Sequence, residues 1–307
     1  MIKGAKLRHY MEYYSLRAVV ACLRLLSFKR ASAIGGRLGL LVHALGIRRD
    51  VVERQVRAAF PGLAELEVLR ISRASYESLG RTTIETAMFP TLTPATFLEL
   101  FESVDAWSVV ERTHAAGRGI LFVAGHLGNW ELTGSLVACM GVRVEAVARG
   151  MENPVFDAYL TETRSRIGVT VMHDSEAVRR VPRLVRDGKA VGFLVDQGAA
   201  GLASTWVPFF GRLAKTPRGP AVFALRLDAP VVFGCVIRQP NSRFIMHFEE
   251  VVVERTGDRE TDINAIVAAY TATLERWVRR YPEQYFWQHR RWKHQQPGTP
   301  PELGDPL

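Results

Sequence analysis

The sequence predicts an α/β fold in which a mixed, largely parallel sheet is flanked by helices. Short apolar runs recur between residues 119 and 253, and helical stretches separate most of them. Strands that alternate with helices in this way form parallel sheets that carry helices on both faces. The apolar runs predicted to be strands are 119–125, 143–149, 168–172, 190–196, 229–237 and 243–253.

The predicted helices lie between these strands and on either side of them. Residues 61–116 carry apolar residues three and four positions apart, so this region is predicted to be mostly helical. The last two strands are close enough to form a hairpin, which we expect to add an antiparallel edge to the sheet. The later helices are predicted at 129–140, 154–167, 176–187, 217–227 and 262–282, the last of them stopped by Pro282.

The composition fits a large globular protein without disulfides. With 307 residues and 48% apolar content, the chain can bury one large core, or a core and a subdomain. The three cysteines are odd in number and far apart, and no CxxC pair indicates a disulfide framework or a zinc site. We therefore expect a reducing compartment.

The net charge of +9 belongs to the first 60 residues. They hold twelve Lys and Arg against three Asp and Glu, a surplus of nine, so the rest of the chain is balanced. Large apolar residues lie between these charges, and in the stretch 14–28 the side chains of Arg17 and Arg24 share one helical face. Neither this stretch nor residues 38–47 reaches the roughly 18 apolar residues of a spanning helix.

This pattern predicts that residues 1–60 form basic amphipathic helices that lie in an anionic membrane interface. The alternative is that they are ordinary amphipathic helices covering the core. We assign a globular domain to residues 61–294, and we expect the Pro-rich residues 295–307 to be a flexible tail.

A candidate site follows the first apolar run, in HLGNWE at residues 126–131. His126 comes two residues after the predicted strand, and Glu131 lies in the first turn of the next helix. A carboxylate that reaches an imidazole fixes its tautomer and stabilises the charge that it gains as a base. We therefore predict that His126 is a general base oriented by Glu131. The alternative is a core histidine and an acidic residue that only stabilises the helix start.

The HLGNWE stretch carries no nucleophile of its own. There is no GxSxG turn, and neither Ser135 nor Cys139 lies on a sharp strand-to-helix turn. His126 and Glu131 do not match HExxH, and the other histidines lack compact ligand spacing, so we predict no metal. A base without a nucleophile indicates that the substrate brings one, such as a hydroxyl that attacks an acyl group.

Further polar residues are predicted at the carboxyl ends of the strands. Arg149 ends the second apolar run, Asp196 ends the fourth, and Gln197 follows it. Ligands bind at this edge of parallel sheets, so we expect these side chains to converge with His126.

Two aromatic segments have alternative interpretations. In TWVPFFGR, residues 205–212, Phe209 and Phe210 would suit an acyl chain if exposed and the core if buried. Aromatic and basic residues also alternate in residues 276–293, a pattern that occurs in RNA-binding surfaces. A basic membrane- or RNA-binding protein is therefore the non-enzyme alternative.

HLGNWE resembles the HxxxxD/E signature of the glycerolipid acyltransferase superfamily, and the fuller pattern resembles the lipid A biosynthesis late acyltransferases. The resemblance extends over roughly residues 115–294 and implies a glycerol-3-phosphate acyltransferase-like fold. It departs from the family at Val195, where the usual proline of PDQ is missing, and at Arg24, which interrupts the typical spanning helix. The further matching segments are 153–169, 191–197, 207–232 and 285–293.

The resemblance also implies roles for individual residues. His126, Glu131 and Arg164 would be catalytic, with Arg164 stabilising the oxyanion or binding the phosphate of the donor, and Arg166 competing for that role. Asp196 would hold Arg164 or a substrate hydroxyl. The expected substrate-binding residues are Gly128, Asn129, Arg149, Asp196, Gln197, Phe209, Phe210, Arg218 and Arg290.

By the same resemblance, the protein would be a membrane-associated O-acyltransferase without a cofactor, a metal or a nucleic-acid partner. It would move a fatty acyl group from acyl carrier protein to a hydroxyl of a lipid A precursor, at the cytoplasmic face of a bacterial inner membrane. The alternative is a coenzyme A-dependent enzyme that acts on another glycolipid or phospholipid, such as phosphatidylinositol mannoside.

Overall fold

The computed structural model describes residues 6–198 and 201–307, which form a seven-stranded sheet, a two-stranded sheet and helices around them. The strands are β1 Phe101–Asp105, β2 Ile120–Ala124, β3 Val144–Ala148, β4 Val169–His173, β5 Ala190–Leu194, β6 Ser204–Phe209, β7 Arg212–Pro217, β8 Val231–Arg238 and β9 Phe244–Glu250. The α-helices are α1 Leu7–Leu23, α2 Phe28–Ala44, α3 Arg49–Ala59, α4 Glu65–Met88, α5 Pro94–Leu98, α6 Trp107–Ala115, α7 Glu131–Cys139, α8 Pro154–Ser165, α9 Asp174–Arg186, α10 Gly219–Leu227 and α11 Arg259–Arg280.

The large sheet confirms the predicted α/β fold. Its strand order is β1-β9-β8-β2-β5-β3-β4, and every neighbouring pair is parallel except β8 and β9. The predicted antiparallel pair is therefore present, but β9 does not form the edge, because β1 pairs with it in parallel. β1 lies in the region predicted to be helical. Its five residues include a single buried side chain, Phe101, which is too little to show a strand period.

Helices cover both faces of the sheet, and the central strand β2 is buried along its whole length. Leu121 and Val123 belong to one hydrophobic core, whereas Ile120 and Phe122 belong to a second core. Because side chains alternate across a strand, these two cores lie on opposite faces of the sheet. The loop that follows β2 therefore begins from the most constrained part of the fold.

The segment with the two adjacent phenylalanines folds as a hairpin that the sequence did not reveal. β6 and β7 pair antiparallel, and their two-residue turn is Phe210-Gly211. Both residues have positive φ, 53° and 73°, as the tight hairpin turns require, although only the glycine adopts this conformation freely. Phe210 is 6% exposed and contacts the rings of Phe60 and Trp287, and this packing stabilises the unusual backbone.

Small residues bring α2 unusually close to α4. A Cβ atom on Gly39 would lie 2.0 Å from the Tyr76 carbonyl oxygen, and one on Gly80 would lie 2.2 Å from the Gly35 carbonyl oxygen. One side of α2 therefore packs against the body of the protein. In residues 6–198 and 201–307, no helix is long and apolar enough to cross a membrane.

Candidate active site

His126 and Asp196 meet at the carboxyl edge of the large sheet. β2 and β5 are parallel neighbours whose last residues, Ala124 and Leu194, are in register. His126 and Asp196 each follow two residues later, so the same geometry places both at the strand ends. The Nδ1 atom of His126 lies 2.7 Å from the Asp196 carboxylate, and the His126 backbone N–H donates to the other oxygen at 2.9 Å.

This pair defines which nitrogen of His126 is available for chemistry. The Asp196 carboxylate accepts a hydrogen from Nδ1, which leaves the lone pair on Nε2. Burial alone would raise the pKa of Asp196, but the imidazole charge and the two hydrogen bonds from His126 outweigh it and hold that pKa well below its usual value. Asp196 therefore stays ionised, and the geometry is that of a base held by a carboxylate.

The predicted contact between Glu131 and the imidazole is not formed. Glu131 instead binds Arg164 of α8 through two hydrogen bonds, at 2.8 Å from Nε and 2.6 Å from Nη2. The expectation that Asp196 holds Arg164 is also wrong. Arg164 is bound by Glu131, and Asp196 is bound to His126. Glu131 lies at the start of α7. Asp196 follows β5, and it reaches His126 because β5 lies beside β2 in the sheet. The catalytic roles of these residues stay predictions.

Aromatic rings and one amide surround the imidazole. The ring centroids of Trp130 and Phe286 lie 4.8 and 5.8 Å from that of His126, and the side-chain nitrogen of Gln197 lies 3.3 Å from Nε2. The Phe286 N–H also donates to the His126 carbonyl at 3.0 Å. These rings limit the access of water to one side of the base. Sequence reasoning did not single out Trp130 or Phe286, although both lie inside segments that carry the resemblance.

An apolar cavity of about 110 Å³ opens beside the Glu131–Arg164 pair. It lies between α7 and the sheet, and most of its lining side chains are apolar. Trp130 lines this cavity and its ring also contacts His126, so this one side chain links the imidazole to the cavity. The arrangement suits a substrate with a long apolar part and a reactive group at its polar end.

Comparisons with known proteins identify the family of this chain. The profile of the bacterial lipid A biosynthesis acyltransferase family matches residues 1–294. The chain belongs to this acyltransferase family. It is 25% identical over 262 residues to a lipid A biosynthesis palmitoleoyltransferase of Escherichia coli (strain K12), an alignment that covers 85% of this chain and 84% of that protein. It is 26% identical over 270 residues to the lauroyltransferase of the same strain, which covers 87% and 86% of the two chains.

The family assignment confirms the resemblance noted from the sequence and shows that the protein is an acyltransferase. A lipid A biosynthesis acyltransferase of Haemophilus influenzae is 24% identical over 178 residues, which is 58% of this chain and 55% of that protein.

In the acyltransferase, two of the expected substrate-binding residues, Gly128 and Asn129, fix the active-site loop, which joins β2 to α7. A Cβ atom on Gly128 would lie 1.8 Å from the Val236 carbonyl oxygen, so the loop touches β8 at a point where only glycine fits. Asn129 is fully buried, and its side-chain amide donates to Glu85 at 2.7 Å. Neither residue faces the cavity, because both lie between the loop and the elements that support it.

Four other expected binding residues have partners in the fold. Phe209 and Phe210 are 0% and 6% exposed, so they belong to the core and do not line the cavity. Arg218 pairs with Glu260 at 2.5 Å, and Arg290 pairs with Asp305 in the C-terminal segment. Arg149 differs from them, since it is exposed at the end of β3 and makes no ion pair within residues 6–198 and 201–307.

The basic residue that does lie near the His126–Asp196 dyad is Arg291. It is buried, donates to the Lys215 carbonyl at 2.7 Å and to Thr216 at 2.6 Å, and its charge helps to lower the pKa of Asp196. Trp287 and Trp292 are fully buried around it. The alternation of rings and cations in this segment therefore builds the core beneath the dyad, and these tryptophans are not exposed for stacking on bases. Sequence reasoning selected Arg290 because adjacent arginines cannot be distinguished without the fold.

Proposed function

We propose that this acyltransferase moves a fatty acyl group from a thioester donor to a hydroxyl of a lipid A precursor, with His126 as the general base. The mechanism is supported by the His126–Asp196 pair. The imidazole of His126 contacts Trp130, which also lines the apolar cavity. The acceptor class is supported by the names of the relatives, which are lipid A acyltransferases.

In the proposed reaction, Nε2 of His126 accepts the proton of the acceptor hydroxyl as its oxygen attacks the thioester carbonyl carbon. A tetrahedral intermediate forms, and the carbon–sulfur bond breaks as the carbonyl is restored. The departing sulfur takes the proton from the imidazolium, which leaves an ester and a thiol. Asp196 stabilises the imidazolium between these two proton transfers. No covalent bond to the enzyme is needed, because the acceptor supplies the nucleophile.

Arg164 is the proposed partner of the oxyanion. Burial lowers the pKa of its guanidinium, but the charge and the hydrogen bonds of Glu131 outweigh burial and raise it, so Arg164 remains charged. The two bonds to Glu131 fix the guanidinium at the wall of the cavity. A cation fixed before the reaction stabilises developing negative charge without a cost of reorganisation. Arg166 is less suited to this role, because it is exposed and pairs with Glu162 on the same helix.

We further propose that acyl carrier protein is the donor and that the enzyme acts at the cytoplasmic face of the bacterial inner membrane. The outer side of α2 supports a membrane location. Leu38, Leu41 and Leu45 are 45%, 54% and 66% exposed, and they recur three and four residues apart on one helical face. Exposed basic residues, among them Arg37 on the same helix, would face anionic headgroups.

The test is an assay with purified protein, a Kdo-modified lipid A precursor, and acyl thioesters of carrier protein and of coenzyme A in separate reactions. The expected result is a product whose mass has increased by one acyl group, with the carrier-protein donor preferred. His126→Ala should abolish transfer, while His114→Ala, which changes an exposed histidine on α6, should not. An active His126→Ala enzyme would overturn the mechanism. Transfer to a phosphatidylinositol mannoside, but not to the lipid A precursor, would overturn the acceptor assignment.

A further inference from the structure

The sheet forms the floor of the apolar cavity, and at one position of this floor a strand carries no side chain. On three adjacent strands, Phe122 of β2, Gly192 of β5 and Ala146 of β3 are in register, and all three line the cavity. Residues that are in register on neighbouring strands point to the same face of a sheet. The floor therefore carries a bulky ring on one strand, no side chain on the next and a single methyl group on the third.

Gly192 is not required by the backbone. Its φ is not among the positive values, whereas Gly168 and Gly188, which precede β4 and β5, do have positive φ. A glycine within a strand weakens the strand, so its presence there often marks a close approach of another group. A Cβ atom built on Gly192 would have no heavy atom within 4 Å, and the space above this residue is therefore open.

The opposite wall of the cavity is more confined. Gly134 of α7 also lines the cavity, but a Cβ atom there would lie 3.4 Å from Val169 and 3.8 Å from Val144. A side chain at position 134 would contact these neighbours, whereas a side chain at position 192 would enter free volume. Of these two glycines, Gly192 is the one whose missing side chain opens the cavity.

We propose that Gly192 determines the length of the acyl chain that the cavity accepts. The inference rests on the proposed function, in which the cavity holds the acyl chain while its thioester lies near His126. A side chain at position 192 would occupy the volume of the distal part of a long chain and leave the reacting carbonyl in place. Each methylene that cannot be buried should lower relative specificity about fourfold.

The experiment compares Gly192→Ala, Gly192→Val and Gly192→Leu with the wild-type enzyme. Each is given an equimolar mixture of acyl donors of eight to sixteen carbons and one acceptor, and the product chain lengths are measured by mass spectrometry. The expected result is a stepwise shift toward shorter chains from Ala to Leu, with kcat/KM falling least for the shortest donor. Gly219→Ala is the matched control, since a Cβ atom there also meets nothing within 4 Å and Gly219 does not line the cavity.

The control variant should keep the wild-type product distribution. An unchanged distribution in the Gly192 series, or an equal loss of activity at every chain length with an unchanged melting temperature, would overturn the proposal. Gly192→Ala keeps the test valid if the larger variants fail to fold, because its methyl group enters open space.

Binding of free fatty acids of the same lengths repeats the test without any transfer. A wild-type protein that binds long chains but transfers none would refute the proposed function alone. A wild-type protein that transfers acyl groups without the predicted shift in the variants would refute only the role of Gly192.

Discussion

The carboxylate of Asp196 holds His126 at two points, through the ring Nδ1 and through the backbone N–H. One carboxylate oxygen contacts the ring and the other accepts the backbone N–H, so Asp196 orients both the imidazole and the loop that carries it. Glu131, which the HxxxxE spacing places only five residues from His126, is instead bound by Arg164. The two carboxylates of the site therefore have separate partners: Asp196 orients the imidazole of His126, and Glu131 orients the guanidinium of Arg164.

Exchanging Asp196 for asparagine should separate the roles of these two carboxylates. In Asp196→Asn the side chain can still accept the backbone N–H, but it no longer stabilises a protonated imidazole. We expect kcat to fall by about 10² to 10⁴, while the melting temperature changes little. Steady-state kinetics with acyl donor and lipid acceptor measure the effect. A smaller loss than that of Glu131→Gln would show that the Asp196 contact is not the catalytic one.

His289 gives the protein a dependence of stability on pH. Burial, together with the charges of Arg291 and other neighbours, lowers the pKa of His289 to about 4. The unfolded chain takes up its proton near pH 6.5 and the folded chain only near pH 4, so protonation favours unfolding in this window. The free energy of unfolding should therefore fall by about 2 kcal/mol between pH 7 and pH 4.5 because of this residue.

Denaturant titrations of the wild type and of His289→Gln at these two pH values measure that contribution. The variant should lose less stability on acidification than the wild type does, by about 2 kcal/mol. An equal loss of unfolding free energy in both proteins between the two pH values would show that His289 is protonated without penalty in the folded state.

Helices α2 and α4, strand β8 and the active-site loop are joined by one buried ion pair. Arg238 of β8 binds Glu85 of α4 at 2.5 and 2.8 Å, and Glu85 also accepts hydrogen bonds from Ser32 of α2 and from Asn129 of the loop. Burial would raise the pKa of Glu85, but the charge and hydrogen bonds of Arg238 outweigh it and lower that pKa. The helix that carries the exposed leucines and the loop that carries His126 thus share one carboxylate.

Removing only the cation of this pair should be strongly destabilising. In Arg238→Met the Glu85 charge stays buried without its partner, and we expect the free energy of unfolding to fall by about 3–5 kcal/mol. Adding Glu85→Leu should recover much of that loss, since the double variant contains no buried charge. Urea titrations of the wild type, the single variant and the double variant measure these free energies of unfolding. No recovery in the double variant would indicate that the hydrogen bonds to Ser32 and Asn129, and not the charge, dominate.

The whole molecule has a charge asymmetry that matches its proposed location. The surplus of nine positive charges lies in the first 60 residues, the region that also exposes the leucines of α2. Apolar side chains and cations on one surface are typical of proteins that bind an anionic interface. The rest of the chain carries no net charge.

Replacing Leu41 and Leu45 with serine should weaken binding to vesicles that contain anionic lipid. Both side chains are more than half exposed, so partial burial of each in the bilayer is worth about 1 kcal/mol, or about fivefold in affinity. Vesicle flotation at low and high salt measures the change, and salt should weaken the binding of both proteins. The control is Val252→Ser, which removes an exposed apolar side chain outside the N-terminal helices. Equal losses in the control and the double variant would contradict the assignment of this face.

The strands predicted from apolar runs are confirmed, and Asp196 and Gln197 lie beside His126 as expected, whereas Glu131 binds Arg164 and not His126. The strands β2, β3, β4, β5 and β8 are where the apolar runs predicted them, because each contributes buried apolar side chains to the core. β1 and the β6–β7 hairpin were not predicted, since they are short and their pairing depends on distant residues. Phe210 illustrates the difference: only its packed neighbours stabilise a positive φ that the sequence disfavours.

The order of residues alone determines that a histidine follows the first central strand, that no GxSxG nucleophile accompanies it, and that the family is that of lipid A acyltransferases. Folding decides which carboxylate contacts the imidazole. Glu131 is near His126 in the sequence, but Asp196, seventy residues away, is its neighbour because β5 lies beside β2 in the sheet. Periodicity encodes which face of a strand is buried, whereas strand order depends on the packing of the whole domain.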